Sequence, residues 1–220
     1  MGRKFGSASE RVSVYEDDFT GVCQLLAGSS RWQKFIAPNV DPAIKKYGSS
    51  TFNIVSAETF GRRGRLDPET MGYTDKIKPE MVFVEINKGG AETLVVSALH
   101  ELVHWVSHPP QQGKIITAWG MLVEGLGEGL TQVVTEDIFA DQGIKQYFKA
   151  VYGERVAVVR KLIERFDVGP FGDALFGGNV KSLQPLYDAY GFEGMNQIRT
   201  LATGNNSAKA IEYIDNHKGH

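Results

Sequence analysis

At 220 residues, with 42% hydrophobic and 23% charged content, the chain is long enough to bury a real core and too apolar for general disorder. A net charge of -2 and a pI near 6.2 remove any electrostatic case for nucleic acid or an anionic membrane as main partner. The single cysteine, Cys23, excludes an intramolecular disulfide, and no apolar run approaches the roughly 18 residues of a membrane span.

Residues 1–10 are polar and rich in Gly and Ser, and read as a flexible N-terminus without the apolar core of a signal peptide. The expectation is a soluble chain, cytoplasmic or exported by a route independent of a signal peptide. Short amphipathic helical pieces follow between Asp17 and Tyr47: DDFTGVCQLLA, RWQKFIA and DPAIKKYG. TFNIVSAETF (51–60) reads as a strand, and a turn-rich loop carrying Arg62, Arg63 and Arg65 comes next. MVFVEIN (81–87) is the clearest strand, with β-branched and aromatic residues at its heart and Gly89-Gly90 behind it.

Beyond residue 90 the pattern turns helical: 91–107, a patch within 115–124, 128–141, 145–167, 180–190, 193–203 and 207–216. Gly and Pro cluster at the joints, as in VGPFG and at Gly177-Gly178. The expected fold class is α+β: a small mixed or antiparallel sheet packed on the 91–107 helix, followed by a mostly helical half. Residues 11–220 are expected to form one domain, its cleft lying between the 81–108 and 124–141 regions and the C-terminal helices.

The chemistry concentrates in SALHELVHWVSHPP, which contains His100-Glu101-Leu102-Val103-His104, the H-E-x-x-H pattern. Histidines four apart on a helix sit one above the other, about 40° apart, so both imidazoles can reach one ion. On a helical wheel Leu94, Val95, Val96, Ala98, Leu99, Leu102, Val103, Trp105 and Val106 cover most of the circumference. The polar residues fall in one stripe roughly 120° wide that holds His100, Glu101 and His104. Such a helix is expected to be buried, and buried ionisable groups need partners or a cleft. Two hydrogen-bonded core histidines are the competing reading. A glutamate beside them on the only polar stripe favours a metal, and Glu101 is placed to take a proton from a metal-activated water.

A catalytic zinc site needs a third protein ligand. His108 continues the stripe, but Pro109-Pro110 ends the helix there; Glu124 and Glu128 lie downstream in MLVEGLGEGLTQVVTEDI. Gly125, Gly127 and Gly129 each cost about 1 kcal/mol inside a helix. A helix starting near Gly127 is therefore expected, with Glu128 in its first turn and Gln132 and Thr135 on the same face. That reading favours Glu128, with Glu124 as the alternative ligand and Gln132 and Thr135 as groups that orient the histidines.

H-E-x-x-H followed some twenty residues later by a helical Glu resembles the gluzincin metallopeptidases, and LGEGLTQVVTE resembles the N-E-G-x-T-E-Y-x-T segment of compact bacterial members. Gly127 stands where those members carry Asn, and Gln132 where an acidic residue is usual. The resemblance covers roughly residues 81–140 and implies a zincin-like domain with one Zn2+ per chain, held by His100, His104 and Glu128. It implies an endopeptidase acting on peptide or protein substrates, with Glu101 as general base. Small domains of this sort also occur as secreted toxin or effector peptidases. By the same resemblance MVFVEIN is expected to be an edge strand that pairs with substrate. An oxyanion stabiliser is expected among Tyr152, Tyr187, Tyr190 and His108. The competing functions are a non-catalytic zincin-fold binding module and a zinc amidohydrolase acting on a non-protein amide.

Overall fold

The apolar circumference around the H-E-x-x-H stretch produces a 17-residue helix, α1 (Gly90–Val106). The computed structural model of the chain describes residues 27–39, 51–55, 72–75, 80–84, 90–107, 118–143 and 152–217. The remaining helices are α2 (Ala118–Asp141), α3 (Gly153–Phe166), α4 (Val168–Gly177), α5 (Gln184–Thr203) and α6 (Ser207–Asn216). A 3-10 turn at Val180–Leu183 leads into α5, and a π-helical turn at Trp32–Ile36 lies within helical residues 30–39. DDFTGVCQLLA up to Leu26, DPAIKKYG and the expected flexible N-terminus lie outside the described residues.

The expectation of an α+β fold is corrected. Among residues whose side chains the structure describes, 87% are helical and none lies in a strand. Strand patterning at 51–60 and 81–87 was a real local signal, but it resolves into short backbone ladders: β1 (Thr51–Val55), β2 (Gly72–Asp75) and β3 (Glu80–Val84). Ladders of four or five residues bury little by themselves, so the helices set the class. β3 lies in the middle of the three, parallel to β1 and antiparallel to β2. Both of its hydrogen-bonding sides are thus taken, which corrects the expectation of a substrate-pairing edge. β2 falls in the stretch expected to be loop.

By backbone contact the described residues form two units. The first comprises those up to Val106 together with Asp141–Gly143; the second runs over 107–140 and from 144 onward. In the first unit, α1 packs on β2 and β3. Leu99, Leu102, Val103, Trp105 and Val106 are buried, as expected for a helix with so little polar circumference. Trp32, Phe35 and Ile36 are buried as well.

Within that unit Asp141 ties down the start of the 30–39 helix. Its Oδ2 accepts from the hydroxyls of Ser29 (2.8 Å) and Ser30 (3.0 Å) and from the Arg31 amide, and its Oδ1 accepts from the Arg31 guanidinium at 2.7 Å. Burial works to raise the Asp141 pKa, but the two hydroxyls, the amide and the guanidinium together hold it below its ordinary 3.8. A carboxyl depressed on folding stabilises the folded state above 3.8, and that contribution is lost as pH falls through the lower folded value. Asp141→Asn is therefore expected to lower the melting temperature at neutral pH while removing part of the acid-induced loss. A wild type and variant whose melting temperatures differ by the same amount at pH 7 and pH 3 would contradict this.

In the second unit α3, α5 and α6 pack on one another, and α4 packs on α3 and the 3-10 turn. Their shared core includes Val158, Leu162, Phe171, Phe176, Leu186, Ile198 and Ile214. VGPFG, expected as a joint, instead opens α4: the Asp167 side chain accepts from the amides of Val168 and Gly169, capping the helix. Gly178, at φ 64, closes it in the left-handed conformation that glycine adopts without strain. The break expected between helices 180–190 and 193–203 is present as a kink in α5 at Gly191, whose φ of 60 and ψ of -175 only glycine takes readily.

α2 is one continuous helix through Gly125, Gly127 and Gly129, which corrects the expectation of a start near Gly127. Close packing offsets the glycine cost. A Cβ at Gly129 would lie 2.8 Å from both the carbonyl carbon and the Cβ of Arg155, and one at Gly125 would overlap Arg199 Cγ and lie 3.3 Å from its Cβ. Gly129→Ala is expected to destabilise by about 1–2 kcal/mol, because the backbone clash exceeds the helix-propensity gain. Gly125→Ala is expected to destabilise as well, because its Cβ would overlap Arg199 Cγ at the root of that side chain. A urea midpoint for either variant at or above that of wild type would refute the packing account.

Candidate metal centre

α1 carries the two histidines one turn apart, so their rings lie along the same face. The ring centroids are 4.7 Å apart and the planes meet at 73°. The two Nε2 atoms converge to 3.1 Å. His100 is 7% exposed and Glu101 8%, so this is a nearly dry stretch of helix, while His104 is half-buried. The apolar neighbours Leu99, Leu102 and Val103 are buried beside them.

Glu128 on α2 is half-buried. His100, His104 and Glu128 form a group that could hold a metal ion: one ligand atom of each lies within 4.8 Å of the others. The donor chemistry fits a zinc-type site, since two imidazoles and a carboxylate are an established catalytic set. The spacing fits too. Two nitrogens each about 2.05 Å from a tetrahedral ion lie about 3.3 Å apart, close to the observed 3.1 Å. The same separation also suits an imidazole-to-imidazole hydrogen bond, which requires a proton on one Nε2. An ion and that hydrogen bond exclude each other, since both use the same lone pairs.

The other expected site residues divide into several cases. The side chain of Glu124 and all of His108 lie outside the described residues. Gln132 follows Glu128 by one turn, and its amide nitrogen donates to Glu136 Oε1 at 3.2 Å. Thr135 is fully buried, and its hydroxyl donates to the Thr131 carbonyl of its own helix at 2.8 Å. Its one donor is therefore used locally, as is common for a threonine inside a helix.

Among the tyrosines, Tyr190 is 8% exposed and packs in the second unit. Its hydroxyl donates to the Ile214 carbonyl at 3.4 Å, and the Arg165 guanidinium lies 5.3 Å from its ring centre. Burial pushes its pKa up against the pull of Arg165. These contacts give Tyr190 a packing role. Tyr187 is 40% exposed, and Tyr152 lies under the Arg155 guanidinium at 5.9 Å.

The pairing of Glu136 with Gln132 was readable from their i, i+4 spacing. Arg160 was not readable. It lies on α3, and its guanidinium donates to Glu136 Oε2 at 2.8 Å and to Asp137 Oδ1 at 3.0 Å.

Among the described residues no helix is long and apolar enough to cross a membrane. Comparison of the chain with protein-family profiles, with curated proteins and with solved structures finds no match.

Proposed function

We propose that this chain is a zinc-dependent metallopeptidase whose metal is held by His100, His104 and Glu128. The observation that carries the reading is the convergence of the two Nε2 atoms at 3.1 Å beside the buried carboxylate of Glu101. A site with only a structural purpose has no use for such a carboxylate next to its ligands, whereas hydrolysis needs a base there.

A zinc ion in this group would supply Lewis acidity, the means of activating a water for attack on a carbonyl near neutral pH. The chain's own residues do the rest. His100 and His104 present neutral Nε2 lone pairs, which requires each to keep its proton on Nδ1. Glu101 accepts the proton of the attacking water and delivers it to the departing amine, so that it ends the cycle ionised as it began. Its burial limits access of bulk water to that proton.

The test is cleavage of a panel of unfolded proteins and of small amide substrates by the purified chain, with chelator and with zinc restored. Cleavage of peptide bonds that stops with chelator and returns with zinc is the expected result. Turnover confined to non-peptide amides would make the chain an amidohydrolase, and zinc binding without any turnover would make it a binding module.

A further inference from the structure

The last helix, α6, is held differently from the two helices it packs on. Of its 10 residues only Ala210 and Ile214 are buried, while Ala208, Lys209, Glu212, Asp215 and Asn216 are exposed. An isolated helix shorter than about 12–15 residues is marginal in water. α6 is therefore helical only while it is docked. Its neighbours are better anchored: α3 buries Val158, Val159 and Leu162, and α5 buries Leu186, Met195 and Ile198 among others.

What α6 lacks in core it takes from polar contacts at its two ends, and α3 reaches both. At the start, Glu154 Oε2 accepts from the Ser207 amide at 2.8 Å, one of the first-turn amides that no carbonyl of the same helix can serve. The hydroxyl and amide of Ser207 hold the Glu154 carboxyl below its ordinary 4.5, against a small opposing effect of burial. At the other end the Arg165 guanidinium donates to the Ile214 carbonyl, and the Tyr190 hydroxyl approaches the same oxygen at 3.4 Å. Lys161 Nζ pairs with Asp215 at 2.8 Å. A carboxylate thus stands at the positive end of the α6 dipole and two cations at the negative end, the favourable sign in each case.

The contacts also share a face. Glu154, Val158, Lys161, Leu162 and Arg165 recur at intervals of three and four along α3, so the two charged ends bracket the buried Val158 and Leu162. We propose that α6 is a charge-latched strap that opens as a unit while α3 and α5 stay folded, with Glu154 and Arg165 setting how often it opens. An element with few buried apolar contacts opens below the cost of global unfolding. Its opening uncovers the apolar surface of α3 and α5 that it covers when shut.

The experiment is native-state hydrogen exchange by mass spectrometry at neutral pH on the full chain, for wild type, Glu154→Gln and Arg165→Met. In wild type the amides of residues 211–216 are expected to exchange at least about tenfold faster than those of 158–163 and 195–201. Gln at 154 keeps an acceptor oxygen and removes only the charge. Glu154→Gln is expected to speed α6 by about two- to fivefold, the scale of one charge at a helix end, and to leave α3 and α5 unchanged. Arg165→Met is expected to speed α6 at least as much. Exchange in wild-type α6 at the rate of α3 and α5 overturns the strap, since α6 then opens only with the whole fold. A variant that accelerates all three helices equally, or one that leaves α6 unmoved, overturns the latch.

Discussion

Purified wild-type protein is expected to hold about one zinc ion per chain, and His104→Ala and Glu128→Ala are each expected to bind zinc more than about 100-fold more weakly. The magnitude follows from rank: loss of a group outside the ligand set costs about 10–100-fold, and loss of a ligand should exceed that. The expectation begins with the 3.1 Å approach of the two Nε2 atoms and the inclusion of Glu128 in the group within 4.8 Å. Binding to the folded state alone also raises stability, by about 4 kcal/mol at a thousandfold excess over Kd. Zinc should therefore raise the melting temperature of wild type and raise that of Glu128→Ala by no more than about a third as much. Metal content by mass spectrometry and melting with and without chelator check both parts. Folded wild-type protein that takes up no zinc would leave the imidazoles as a hydrogen-bonded pair, and the enzyme reading would fall with it.

Glu101→Gln is expected to keep the zinc and lose about 10²–10⁴-fold in kcat/KM, the usual contribution of a general base. The amide preserves shape and leaves His100 and His104 undisturbed, but it cannot accept the proton of the attacking water. Because the loss arises in the transition state, kcat should fall with little change in KM. Zinc content measured on the same sample separates this from damage to the metal group. A variant with wild-type turnover would take Glu101 out of the reaction and send the search for a base elsewhere.

Some of the structure was written in short stretches of sequence. The 3.6-residue period of 91–107 dictated a helix, its apolar circumference dictated burial, and the four-residue interval placed His100 over His104; α1 has all three features. The helix at 207–216 was equally plain from its period. Each of these depends on atoms within a turn or two of one another, where sequence order is also spatial order.

The α+β expectation failed for the opposite reason. Strand patterning can be seen locally, but whether strands or helices dominate depends on how much chain packs helix on helix, and that sum is non-local. Likewise, nothing in MVFVEIN says whether one or both of its sides will be paired; β2 takes the second side from a stretch with no strand signal.

The glycines of α2 show most directly what tertiary structure decided. Intrinsic propensity argued for a helix that starts near Gly127, yet α2 passes through Gly125, Gly127 and Gly129. The absent side chains let Arg155 and Arg199 come close, and that packing reverses a preference of about 1 kcal/mol per residue. The sequence by itself therefore determined the helix, the histidine pair and the glutamate beside it, since helical periodicity is a local property. Which arginine reaches Glu136 from another helix was decided by the fold, because residues 24 apart in sequence meet only when their helices pack.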